Sequence, residues 1–106
     1  MSTDLRHWLE KDGGRFLQAI GVVRSAIVLD FGCRRGTYAI PAASIVGPSG
    51  RVYAVDKDDG VLSDLAQRAV DHGLANMCCI NTGGDVRVPL EDQSVDVVLL
   101  LSLIHI

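Results

Sequence analysis

The stretch Val28-Leu29-Asp30-Phe31-Gly32-Cys33-Arg34-Arg35-Gly36 constrains this chain more than any other. A short continuous apolar run, Ala26 to Leu29, closes on an acid and then breaks into a loop bounded by glycines. Unalternated apolar runs of that length fit a strand covered on both faces, as in a parallel sheet. The pattern then repeats. Arg51-Val52-Tyr53-Ala54-Val55-Asp56 reads as a second strand, again finishing on an acid. Met77 to Ile80 reads as a third strand, and Val95 to about Leu101 as a fourth. Helical stretches fall between them. Tyr38 to Val46 is expected to be helical with Pro41 in its first turn, the one place where a missing N–H costs little. From Val61 to His72 the apolar positions 61, 62, 65, 66, 69 and 70 form a helical stripe, with Gly73 as the C′ residue. Two short helices precede the first strand, split at Gly13-Gly14, with Leu5, Trp8 and Leu9 on one apolar face and Phe16, Leu17 and Ile20 on the next. Alternating strands and helices predict an α/β fold, a Rossmann-like open parallel sheet of one domain.

Composition narrows the class. The 106 residues are 48% hydrophobic and 22% charged, which supports a packed core rather than a disordered chain. A net charge of −3 gives no general footprint for nucleic acid or an anionic membrane. Cys33, Cys78 and Cys79 form no CxxC pair, which argues against a disulfide framework or a cysteine-rich zinc site and fits a reducing, cytoplasmic setting; no metal is expected. The apolar stretch from Val95 to Ile106 is too short, and too interrupted by Asp96, to span a bilayer.

In open parallel sheets, ligands bind outside the carboxyl ends of the strands. Asp30 with its glycine loop, Asp56 and the Gly83-Gly84-Asp85 turn converge there. A dinucleotide loop takes the form G-x-G-x-x-G so that helix N–H groups meet a pyrophosphate. Here the spacing is G-x-x-x-G, and Asp30 would repel a pyrophosphate. A carboxylate at that point suits a ligand with an ammonium group, and Asp56 can accept from both hydroxyls of a ribose. Together they favour S-adenosylmethionine over NAD(P). An NAD(P)-binding oxidoreductase fragment and a non-catalytic docking module are the alternative readings.

The run VLDFGCRRGTYAIPAA resembles the first motif of class I S-adenosylmethionine-dependent methyltransferases, commonly D-x-G-C-G-x-G. RVYAVDKD resembles the acidic motif that closes their second strand, and GGDVRVPLEDQSVDVVLL the stretch holding the adenine-side turn and fourth strand. The order and spacing hold from about Phe16 to Leu100, and the nearest kin are small-molecule methyltransferases related to ubiquinone and menaquinone biosynthesis. The resemblance implies a cofactor site of Asp30, Gly32, Cys33, Gly36, Asp56, Lys57, Asp85 and Val86, the last through its backbone N–H. It implies a small-molecule methyl acceptor and no nucleic-acid partner. Cys33 is expected to face the cofactor without acting as a nucleophile, and Asp96 to be structural. Arg34 stands where the family has its middle glycine: either it strains the turn or its guanidinium reaches the methionine carboxylate. Lys57 and Asp58 read more readily as solvated than as functional. The family takes catalytic groups from beyond the fourth strand, so none is assigned, and the chain is expected to be the N-terminal part of a longer, seven-stranded domain. Residues 101–106 also match the translation of a transposon mosaic end and are expected not to be native sequence.

Overall fold

A computed structural model describes residues 7, 11–81 and 95–99. In chain order these hold α1 (Gly13–Ala19), β1 (Ile27–Phe31), α2 (Ala39–Val46), β2 (Arg51–Asp56), α3 (Asp59–Asp71), β3 (Met77–Asn81) and β4 (Val97–Leu99). The strands form one parallel sheet in the order β3-β2-β1-β4. The α/β parallel fold read from the sequence is therefore the one observed. Because β2 lies on one side of β1 and β4 on the other, the chain reverses direction across the sheet at β1. That reversal opens a crevice at the carboxyl end of the strand.

The core lies between the helices and the sheet face carrying Val28, Val52, Ala54 and Leu99. Leu17 from α1, Ile40 and Val46 from α2, and Leu65 from α3 are fully buried against it. Pro41 occupies the first turn of α2, where it removes no helical hydrogen bond. Asp58 caps α3 by accepting from the Val61 N–H at 3.1 Å, and Gly73 follows the helix with φ 69°. The far end of α2 is held from a distance: Asn76 Nδ2 donates to Ala43 O at 2.9 Å and Gly47 O at 2.8 Å, adding a second bond to carbonyls that also accept from the Gly47 and Gly50 N–H groups. β4 is fixed at its start by reciprocal bonds, Ile27 N–H to Asp96 Oδ2 at 2.8 Å and Asp96 N–H to Ile27 O at 2.7 Å. This gives Asp96 the structural part expected of it.

Some details depart from the sequence reading. α1 starts on Gly13 rather than breaking there, and of its apolar positions Leu17 alone is buried; Phe16 is 39% and Ile20 49% exposed. Phe16 instead tilts its ring against Tyr38, with centroids 6.2 Å apart. On α3 the buried stripe narrows to Leu62, Leu65 and Ala69, while Val70 is 68% exposed. β1 runs one residue past Asp30, because Phe31 still pairs with Val55 of the longer neighbouring strand. Leu5, Trp8 and Leu9 lie outside the described residues.

Candidate functional site

Two carboxylates meet where β1 and β2 end. Asp30 and Asp56 share the sheet face that carries Val28, Val52 and Ala54, since residues two apart on a strand point the same way. Asp30 pairs with Ala54, so Asp56 stands one step further along the same face. Asp30 has no exposed surface, and neither of its oxygens meets a donor among the described residues. Burial first, and then the nearby charge of Asp56, push its carboxyl up from 3.8 to about 7. A buried carboxyl without partners is costly, and it persists in folded proteins chiefly where a function requires it.

The loop after β1 closes over the end of β2. The N–H groups of Gly32 and Cys33 both donate to Val55 O, at 2.8 and 2.9 Å. The Arg34 N–H then reaches Asp56 Oδ2 at 3.1 Å. Asp56 Oδ1 accepts from the N–H of Lys57 at 2.8 Å and of Asp58 at 3.2 Å. A carboxylate offers about four lone-pair sites, and donors among the described residues take three.

Making so tight a turn needs left-handed backbone at three positions, Gly32 (φ 74°), Arg34 (φ 49°) and Gly36 (φ 85°). At Gly36 space forbids a side chain as well: a Cβ would lie 2.4 Å from Leu65 Cδ1 and 3.0 Å from Ile40 Cγ1. The glycine therefore lets α2 start directly against α3. Arg34 carries a side chain in this left-handed conformation, which costs about 1 kcal/mol or more.

Of the expected cofactor residues, Asp30, Gly32, Cys33, Gly36, Asp56 and Lys57 are brought together at this end of the sheet. Cys33 enters through its backbone. Its side chain is fully buried in the core, and burial, together with the charges of Asp30 and Asp56, holds the thiol far above its usual range, so it stays protonated. Asp85 and Val86 lie outside the described residues. Two local roles were not assigned from the sequence. Asp58 is exposed, as expected, and also caps α3, a part signalled by its place just before an apolar helical stripe. The Arg34 N–H, bonded to Asp56, has no side-chain signature to find.

At the opposite end of the sheet an open cleft of about 360 Å³ is lined by residues including Ala43, Gly47, Pro48, Arg51, Leu74 and Asn76. It holds no acid and lies before β2 and β3 rather than after them, away from the strand ends where such sheets bind ligands. Among the described residues no helix is long and apolar enough to cross a membrane, and no cluster of three metal-ligating side chains occurs.

Residues 28–106 match a protein family described as Methyltransferase domain. The chain is 35% identical over 65 residues to the aklanonic acid methyltransferase DauC of Streptomyces sp. strain C5, covering 61% of this chain and 30% of that protein. It is 31% identical over 84 residues to the demethylmenaquinone methyltransferase of Geobacillus kaustophilus, covering 79% of this chain and 36% of that one. A crystal structure of a SAM-dependent methyltransferase from Aquifex aeolicus superposes with a TM-score of 0.76 at 26% identity, over 87% of this chain and 48% of that chain. The chain thus spans about a third of the length of these two curated relatives.

Proposed function

The chain belongs to the methyltransferase-domain family, and on that premise we propose that it forms the cofactor-binding half of an S-adenosylmethionine-dependent methyltransferase. The observation that carries this is Asp30, a fully buried carboxyl whose two oxygens meet no donor among the described residues, at the switch point of the sheet and beside a second acid. These residues fit the cofactor. When bound, S-adenosylmethionine supplies a methyl group on a sulfonium sulfur. Asp30 gives the cofactor's ammonium a counter-charge in dry surroundings, where opposite charges attract strongly. Asp56 receives ribose hydroxyls, one at the lone pair that no described residue takes and one in place of the Arg34 N–H. The left-handed turn through Gly32 and Gly36 lets the backbone approach the ligand with no Cβ between.

The acceptor in this reading is a small molecule, in keeping with the two relatives' names. A cytoplasmic setting agrees with three cysteines that are all free. The competing reading, an NAD(P)-dependent oxidoreductase, is opposed by an acid, without a partner among the described residues, where a pyrophosphate would sit.

Calorimetric titration with S-adenosylhomocysteine and with NAD separates the two. S-adenosylhomocysteine is expected to bind and NAD not. Hydrogen bonds to a charged acceptor contribute roughly 1.5–3 kcal/mol each. Asp56→Ala is therefore expected to weaken binding at least about tenfold, equivalent to about 1.4 kcal/mol. NAD binding, or an Asp56→Ala affinity equal to wild type, would overturn the assignment.

A further inference from the structure

We infer that capture of the cofactor at this site expels a proton from Asp30, so that acidification opposes binding through this one carboxyl. The inference rests on the cofactor reading above and adds a regulation to it.

The geometry is that of a carboxyl placed to await a charge. Asp30 is wholly removed from solvent, and neither oxygen meets a donor among the described residues. An ionised carboxylate left so is costly, and a protonated one far less so. The surrounding elements favour the protonated form. From β2 faces Asp56, a further acid, and from the loop Cys33, a thiol that stays protonated. β4 sets Leu99 in register beside it. α2 and α3 bring apolar Ala39, Ile40, Leu62 and Leu65 to the same core. Among the described residues the charged side chains at this end, Arg34, Arg35, Lys57, Asp58 and Asp59, are exposed. Asp58 caps α3, and Asp59 accepts from Asn81 Nδ2.

An elevated pKa of about 7, set by burial and then by Asp56, agrees with this placement. Near neutrality the free chain then exists in both protonation states. A ligand ammonium arriving in a site this dry acts across several ångströms, so it favours the ionised form without requiring direct contact. The O–H bond of the carboxyl breaks, its proton passes to the buffer, and no bond to the ligand forms.

The test is calorimetric titration of the 106-residue chain with S-adenosylhomocysteine and with 5′-methylthioadenosine, which keeps the adenosine and thioether but lacks the ammonium. Running each at pH 7 in two buffers of different ionisation enthalpy counts the protons exchanged. S-adenosylhomocysteine is expected to release about half a proton at pH 7. Its affinity is expected to fall toward tenfold per pH unit below about 6. 5′-Methylthioadenosine is expected to exchange no proton and to bind independently of pH, and Asp30→Asn to abolish the pH slope for S-adenosylhomocysteine. The wild-type proton count decides the matter even where Asp30→Asn fails to fold. Binding of S-adenosylhomocysteine without proton release, or the same release with both ligands, would overturn the inference while leaving the cofactor reading intact. Binding of neither ligand would refute the cofactor reading and the inference with it.

Discussion

Raising the pH from 5.5 to 8 is expected to destabilise the folded chain by an amount that traces to Asp30. Unfolded, this carboxyl ionises near 3.8; folded, burial and the neighbouring Asp56 hold it protonated to about 7. Between those values the native state binds the extra proton, so stability is greatest below the lower value and is lost as pH rises through the upper one. A gap of about 3 pH units corresponds to about 4 kcal/mol in all. The part falling between pH 5.5 and 8 is about 2 kcal/mol, since roughly half has gone by pH 5.5. Urea unfolding of a chain this size has a slope of about 2 kcal/mol/M, so the midpoint drops by about 1 M across the window. Asp30→Asn cannot ionise and is expected to flatten the profile. Urea midpoints at half-unit pH steps for both proteins make the comparison. Parallel profiles for wild type and Asp30→Asn would show that Asp30 is not held protonated and would refute the reasoning.

Gly36→Ala forces a Cβ to 2.4 Å from Leu65 Cδ1 at a left-handed φ. It is expected to cost about 2–4 kcal/mol by urea unfolding, and less in a Leu65→Ala background where the clash is relieved. Arg34→Gly relaxes the non-glycine left-handed position, and is expected to raise stability by about 0.5–1 kcal/mol and to tighten S-adenosylhomocysteine binding. A salt-sensitive loss of affinity would instead assign the guanidinium to the ligand. Asp58→Ala removes the cap of α3 and is expected to lower stability by about 1 kcal/mol without altering the proton count on ligand binding.

Local patterns carried most of the fold. β1, β2 and α3 were legible because a buried parallel strand reads as an unbroken apolar run and a packed helix as a 3.6-residue stripe. Asp30 and Asp56 were legible because an acid that ends such a run stands at the ligand-binding end of the sheet. Features set by distant partners were not legible. Gly50 looks like a plain turn residue, yet a Cβ there would lie 2.6 Å from Ala26 O and 2.5 Å from Val46 Cβ. Asn76 carries no motif, and its two bonds to the end of α2 depend on how β3 packs. Phe16, Leu17 and Ile20 fit one helical stripe by spacing, but Leu17 joins the core while Phe16 is 39% and Ile20 49% exposed, a split that periodicity alone does not signal. The inward turn of Cys33 follows from the paired bonds of the loop to Val55 O, which no single-residue property signals.

Amide chemical-shift mapping of the 106-residue chain during titration with S-adenosylhomocysteine tests the central claim most directly. The amides of Asp30, Gly32, Arg34, Gly36, Asp56 and Lys57 are expected to shift together and saturate along one binding curve. The Arg34 amide is expected to move most, because a ribose hydroxyl takes its place at Asp56 Oδ2. Saturable shifts clustered instead at Gly47, Arg51, Leu74 and Asn76, around the cleft at the other end of the sheet, would contradict the account.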